Sequence, residues 1–362
     1  MSEQQNKITI NGRDFSFAPE ETILSVASRN DIDIPTLCYL KRTIPTGACR
    51  ICVVEVKGAR SLMPSCSTPA SNNMIVFTES ASVVEARRLI IQLLLSSGNH
   101  NCDIGGSAGT EDCCPVCGAC TLQDLAYRYQ VKGDRFPKTD TLYPPELDNP
   151  FIIRDFSRCI LCGRCVQACN EVQVNNAISI GYRGSSTKII AAGDRPLKDS
   201  DCVFCGECVQ ACPVGALVEK STYKTRDWKT KKIRTTCSYC GVGCQLYLHV
   251  HYNRVVKVTG VEDVLPNFGS LCVKGRFGYD FINSPERLTS PLIKENGEFR
   301  KVGWDEALSL VAGKLGEIKE KHGPDSIGVL TSARITNEEN YIVQKFARAA
   351  LKTNNIDHCA RL

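Results

Sequence analysis

The residues of this chain that could do chemistry are its cysteines, and their spacing narrows which chemistry. Two runs repeat one pattern, Cys159-x2-Cys162-x2-Cys165-x3-Cys169 and Cys202-x2-Cys205-x2-Cys208-x3-Cys212-Pro213. The other thiols group as Cys38, Cys49, Cys52 and Cys66, as a stretch from His100 to Cys120, and as Cys237, Cys240, Cys244 and Cys272. With 22 cysteines in 362 residues, the choice lies between a disulfide framework and metal sites. A disulfide framework belongs to a small exported domain. Here the N-terminus has no apolar segment of the kind an export signal needs, and Arg87-Arg88 sits inside an expected helix rather than in a twin-arginine signal. The longest apolar run, Leu89 to Leu95 with Gln92 inside it, is far too short to span a bilayer. The expectation is a cytoplasmic protein without a membrane span, whose thiolates bind metal. The formal charge of +5 invites a nucleic-acid reading. Ligand thiolates and oxidised cluster cores would together carry roughly −9, however, which leaves roughly −4. No basic patch is interleaved with aromatics, so nucleic acid is set aside.

The doubled run has the spacing of bacterial two-cluster ferredoxins, in which the fourth Cys of each run ligates the other cluster. By that resemblance Cys159, Cys162, Cys165 and Cys212 hold one [4Fe–4S] centre, and Cys202, Cys205, Cys208 and Cys169 hold the other. Zinc ribbons do not show this double spacing. Asn170 stands where the first run would have proline, which leaves the ligands intact. The set Cys38-x10-Cys49-x2-Cys52-x13-Cys66 has a loop of small residues, Gly47-Ala48-Cys49-Arg50-Ile51-Cys52, able to fold N–H groups around sulfur. It resembles the [2Fe–2S] domain shared by the large subunit of complex I, iron-only hydrogenases and NAD-linked formate dehydrogenases. A zinc site would want two tight Cys pairs rather than one.

The same families carry a [4Fe–4S] site held by one histidine and three cysteines, the last thiol preceding a Leu-Gln pair. Here Cys120 precedes Thr121-Leu122-Gln123, and the family spacing selects His100, Cys102, Cys114 and Cys120. An insertion from Asp103 to Cys113 separates the first two thiols, and Cys113 and Cys117 remain alternatives to Cys114. A surface helix-capping role is the bland reading of His100. The last set, Cys237-x2-Cys240-x3-Cys244-x27-Cys272, lies in Thr236-Cys237-Ser238-Tyr239-Cys240-Gly241-Val242-Gly243-Cys244 and Leu271-Cys272-Val273-Lys274-Gly275-Arg276. These segments resemble the entry domain of the molybdenum or tungsten bis-pterin oxidoreductases. The resemblance implies that Lys274 lies between cluster and pterin as an electron relay; a solvated surface lysine is the alternative.

Stepping outward to the elements, Asn11-Gly12 between Ile8-Thr9-Ile10 and Phe15-Ser16-Phe17 predicts a hairpin. A short helix is expected from about Thr22, and strands at Ile51 to Val56 and Met74 to Thr78. Ser82 and Glu85 fit a capping box for a helix with Val83, Ala86, Leu89, Ile90, Leu93 and Leu94 as its apolar side. Further helices are expected at Leu122 to Val131, Trp304 to Leu315 and Asn337 to Leu351, with a buried strand at Ser326 to Leu330. The chain is therefore read as α+β and multidomain. By resemblance it carries a β-grasp [2Fe–2S] ferredoxin-like domain at 1–79 and a helical segment with the histidine-ligated site at 80–131. A linker at 132–150 leads to a two-cluster ferredoxin domain at 151–222. A [4Fe–4S] entry domain follows at 230–288, and the start of a molybdopterin oxidoreductase α/β domain at 289–362.

Taken together, the motifs resemble the N-terminal part of the formate dehydrogenase alpha (catalytic) subunit. The resemblance extends through Thr336-Asn337-Glu338-Glu339-Asn340-Tyr341 to Asn354-Asn355-Ile356-Asp357-His358-Cys359-Ala360-Arg361-Leu362. In the family such a segment runs into the cysteine or selenocysteine that binds the metal, followed by histidine. The expectation is a reading halted at a selenocysteine codon, which an in-frame UGA followed by a histidine codon would support. Cys359 is then a buried thiol, and no catalytic metal ligand lies in the sequence. For the full-length enzyme the resemblance implies oxidation of formate to carbon dioxide, or the reverse, at a molybdenum or tungsten bis-molybdopterin guanine dinucleotide. Electrons would cross one [2Fe–2S] and four [4Fe–4S] clusters to a flavin- and NAD-binding diaphorase-type subunit, a hydrogenase or a ferredoxin. An iron-only hydrogenase, a complex I large-subunit relative and a non-catalytic carrier are the rival readings. The carrier would leave apolar faces of Trp304 to Leu351 with nothing to pack on.

Overall fold

The computed structural model describes residues 6–100, 114, 116–139, 143–222 and 225–358, so Cys102, Cys113 and Cys359 lie outside the described residues. The chain divides into two compact units, Met1–Thr230 and Lys231–Leu362. Among the described residues no helix is long and apolar enough to cross a membrane.

The first unit opens with β1 (Lys7–Ile10) and β2 (Arg13–Ser16), antiparallel with Ile8 opposite Phe15. Asn11 and Gly12 turn the chain at φ of 50° and 80°, the left-handed backbone that a two-residue hairpin requires. Helix α1 (Ile23–Arg29) starts at Thr22, whose hydroxyl accepts from Ser25 N at 3.2 Å. Strands β3 (Val53–Val56), β4 (Met63–Pro64) and β5 (Met74–Phe77) complete a mixed sheet of order β2-β1-β5-β3-β4, with β1 and β5 parallel. Ile8, Ile10 and Val76 from the sheet pack with Ile23, Val26 and Ala27 of α1, and Cys52 and Cys66 lie in the same core.

Helix α2 (Ala81–Ser96) differs from the sequence reading in two ways. Ser82 is not its cap: the N-cap is Ser80, which makes no capping hydrogen bond, because both hydroxyls donate to Glu55 Oε2, at 2.6 and 2.8 Å. Its buried stripe is Val83, Arg87, Ile91 and Leu95, whereas Leu89 and Leu93 are exposed. Arg87 makes the difference. It is fully buried, and its side chain hydrogen-bonds to Ile51 O (3.1 Å), Val53 O (2.8 Å), Glu79 Oε1 (2.7 Å) and Tyr129 Oη (2.7 Å). Those four partners draw the 83-87-91-95 face inward, so a charged residue sits where an apolar pattern would place none. Helix α3 (Thr121–Arg128) packs on this face through Leu122, Leu125 and Ala126.

The remainder of the unit runs β6 (Ile152–Arg154), α4 (Arg164–Gln167), β7 (Ile178–Gly181), β8 (Lys188–Ala191), α5 (Glu207–Ala211) and β9 (Leu217–Glu219). Strands β6 and β9 pair antiparallel, Ile153 opposite Val218, so the two ends of the segment meet. Strands β7 and β8 form a hairpin between the two cysteine runs. Helix α4 widens into a π-helical turn, Ala168–Val172, which carries Cys169.

In the second unit β10 (Lys231–Thr236), β11 (Gln245–His251) and β12 (Arg254–Gly260) form an antiparallel meander. Helix α6 (Val273–Phe277) lies beside a core of Leu246, Val258, Leu271, Tyr279 and Cys237. A hairpin of β13 (Leu292–Glu295) and β14 (Glu298–Lys301) leads into α7 (Trp304–His322), longer than the sequence reading placed it. The expected buried strand is β15 (Val329–Thr331), with Leu330 87% exposed. It pairs in parallel with β16 (Ile356–His358) through α8 (Asn337–Lys345), and the turn Phe346–Leu351 extends that helix. Thr336 and Glu339 form a capping box on α8.

Candidate functional site

The two ferredoxin-spaced loops repeat one backbone conformation. Leu161 and Phe204 both have φ of 52°, and Gly163 and Gly206 have φ of 77° and 75°. A non-glycine residue in the left-handed region is uncommon, and here it occurs at the same step of both runs. The turn brings the N–H two residues on to each leading sulfur: Leu161 N–H faces Cys159, and Phe204 N donates to Cys202 Sγ at 3.4 Å. Arg164 N–H does the same for Cys162. Such nests of N–H groups favour negative charge on sulfur. Cys165 has Cys212, Cys162, Cys208 and Cys159 as charged neighbours, whereas Cys208 has Cys205, Cys202 and Cys169. The fold thus gathers Cys212 with the first run and Cys169 with the second, because the β6–β9 pairing folds the segment back on itself. Burial drives these thiols upward, Cys162 to about 12. A bound cation would favour their thiolate forms against that burial.

In the first domain the Cys38 thiol is lowered to about 5 by the hydrogen bond from Cys49, and Cys52 to about 6 by that from Cys66. Their partners move up, as when each pair shares one proton. Cys49 N also faces Cys38 Sγ at 3.5 Å. Cys38, Cys52 and Cys66 are buried, and Arg87 grips the carbonyls on either side of Cys52.

The third group is only partly described. His100 is 5% exposed, so it does not cap a helix at the surface, and among the described residues its Nε2 has no hydrogen-bond partner. Lys138 Nζ donates to its carbonyl at 3.3 Å. Gly98, at φ 106°, brings the chain so close to Ser157 that a Cβ would lie 2.1 Å from its carbonyl oxygen. Burial, and then the charge of Arg158, lower His100 to about 4, so at neutral pH its imidazole is an uncharged potential ligand. Cys117 and Cys120 are buried, and Gln123 Nε2 donates to Cys117 Sγ at 3.4 Å. Trp228 packs over Gly118, and Arg226 donates to Cys114 O. In the metal-free chain the unfolded state takes up the His100 proton before the folded state does. Stability is then full above about pH 6.5 and is lost as pH falls from there towards 4. His100→Gln is expected to flatten that acid limb in thermal melts; an unchanged limb would show that His100 is not its source.

In the second unit Cys237, Cys240, Cys244 and Cys272 are mutual charged neighbours. The β10–β11 connection supplies three of them, with Cys237 N donating to Cys244 O at 2.8 Å. Cys272 caps α6, whose Gly275 would place a Cβ 3.5 Å from Cys237 Sγ. Lys274 is exposed on that helix. All described cysteines are free thiols. Among the described residues no three His, Cys, Asp or Glu side chains converge as they would on one metal ion. A cluster carries its own sulfides and spreads its ligands wider than a zinc ion does at about 2.3 Å. The donor chemistry fits iron–sulfur clusters. Two groups escaped the reading of spacing, the buried Arg87 and Arg154. For Arg87 the four-residue period with Val83, Ile91 and Leu95 was an available signal; for Arg154 there was none.

Four family models match the chain: a 2Fe-2S iron-sulfur cluster binding domain at 3–81, a 4Fe-4S dicluster domain at 158–216, a molybdopterin oxidoreductase Fe4S4 domain at 230–284 and a molybdopterin oxidoreductase domain at 287–362. The chain is 35% identical to a Bacillus subtilis protein named "Putative formate dehydrogenase YrhE", over 98% of this chain and 39% of that protein. It is 39% identical to the NADPH-Fe(3+) oxidoreductase subunit alpha of Geobacter sulfurreducens, over 98% of this chain and 40% of that protein. The chain thus spans about two fifths of the length of these curated relatives. A crystal structure of NAD+-reducing [NiFe]-hydrogenase matches 61% of this chain and 89% of its own, at 32% identity and a TM-score of 0.54.

Proposed function

The chain belongs to the molybdopterin oxidoreductase family, as a multi-cluster iron–sulfur electron-transfer subunit, and from that premise we propose that it is the electron-conducting front of a formate dehydrogenase. The observation that carries the conduit is the gathering of thiols in fours, with Cys212 and Cys169 exchanged between the two runs. The formate assignment rests on the resemblance of the whole motif set, through the sequence segments 336–341 and 354–362, and on the name of the Bacillus subtilis relative.

The ligands are Cys38, Cys49, Cys52 and Cys66 for a [2Fe–2S] cluster, and four sets for [4Fe–4S] clusters. These are His100 with Cys102, Cys114 and Cys120; Cys159, Cys162, Cys165 and Cys212; Cys202, Cys205, Cys208 and Cys169; and Cys237, Cys240, Cys244 and Cys272. A bound molybdenum or tungsten bis-pterin centre would supply the two-electron oxidation of formate. This chain's part is to hold one-electron centres in series, with N–H groups turned towards sulfur and burial that excludes water. Lys274 is exposed two residues beyond Cys272, and the resemblance implies that it would lie between that cluster and a pterin. A partner linked to NAD(P) fits the names of the Geobacter relative and the hydrogenase neighbour; that this partner binds flavin is what the resemblance implies.

The test begins with anaerobically reconstituted protein, which should hold about 18 irons per chain. In the longer protein that includes this chain, formate should reduce the clusters, read by EPR. Zinc in place of iron would sink the conduit. Clusters that dithionite reduces and formate does not would sink the formate assignment alone.

A further inference from the structure

The ferredoxin segment buries a cation that its ligand sets do not use. Arg154, the last residue of β6, is 4% exposed. It lines the same cavity, of about 40 Å³, as Cys159, Cys162, Cys165, Cys208 and Cys212. Its Nη2 donates to Ile189 O at 2.6 Å, and its guanidinium lies 4.9 Å from the Phe156 ring centroid. Nη1 is ion-paired with Glu146 Oε2 at 3.3 Å and, among the described residues, has no partner in hydrogen-bond geometry. Of the thiols lining that cavity, Cys159, Cys162, Cys165 and Cys212 belong to the first quartet and Cys208 to the second. One guanidinium is therefore felt in both quartets. Burying a charge is costly unless it is compensated. Here compensation comes from the carboxylate of Glu146, its side chain 21% exposed, and from that of Asp194, which the Arg154 charge helps to hold below its ordinary value.

We propose that Arg154 is a positioning residue shared by the two ferredoxin-type clusters, raising the reduction potential of both together through its fixed charge. This rests on the cluster reading above. Each core takes up one electron and becomes one unit more negative, so a nearby cation favours the reduced form. A single cation seen by both clusters shifts both potentials in one direction, which keeps the pair matched for passing an electron either way.

The test is an EPR-monitored redox titration of the full chain, reconstituted anaerobically, with iron content measured alongside. In Arg154→Met both ferredoxin-type clusters should move to lower potential, while the Cys38 and Cys237 centres stay unchanged. Arg154→Lys, which keeps charge but loses the anchor to Ile189, should fall between. Glu146→Gln removes the carboxylate ion-paired with Arg154 and should move the same pair upward. Unchanged potentials in an intact pair would overturn the inference. If Arg154→Met fails to assemble the pair, Glu146→Gln decides alone, an upward shift supporting the proposal and no shift overturning it. A wild-type chain without the pair's signal would instead overturn the cluster reading itself.

Discussion

Replacing Cys212 with alanine is expected to remove the cluster of Cys159, Cys162 and Cys165 and to spare that of Cys202, Cys205 and Cys208. Iron should fall from about 18 to about 14 per chain, one four-iron core fewer. Cys212 belongs by sequence to the second run, but its charged thiol neighbour is Cys159 of the first. Double variants separate crossed from uncrossed ligation without assigning spectra. Cys212→Ala with Cys165→Ala should cost no more iron than either alone, since both strike one cluster. Cys212→Ala with Cys208→Ala should strip two clusters and leave about 10 irons. The reverse ranking would mean that each run feeds its own cluster.

Arg87→Met is expected to destabilise the first unit by about 3 kcal/mol, because it strips donors from two buried carbonyls and a tyrosine hydroxyl at once. Glu79 contributes less to that loss, since its side chain is 42% exposed and can recover water. The melting temperature of the metal-free protein should drop by roughly 5–10 °C. Because Arg87 holds Ile51 O and Val53 O, the loop bearing Cys52 should loosen too, and the [2Fe–2S] EPR signal should broaden. An unchanged melt would mean that the apolar neighbours Val83, Ile91 and Leu95 hold α2 without it.

Much of the candidate site was legible because cluster ligation is local. Three thiols within seven residues can face one core whatever surrounds them, and Gly163 and Gly206 mark the turns that point N–H groups at sulfur. The first hairpin was legible for the same reason: Asn11-Gly12 favours its own turn. The pattern misled on α2, where counting apolar residues favoured Leu89 and Leu93 and the fold buried Arg87 instead. It also misled at Leu330, a residue apolar by type and exposed in place.

By itself, the order of residues grouped the thiols into candidate sets by their spacing and assigned those sets to loops. Only the tertiary structure decided which way α2 faces, that His100 is buried with an unpartnered nitrogen, and that Arg154 lies beside both quartets. The physical reason is distance along the chain. Local turn geometry is written into a few adjacent residues. The desolvation and pairing of a charge depend on partners such as Tyr129 for Arg87 and Ile189 for Arg154, which meet only when the chain closes.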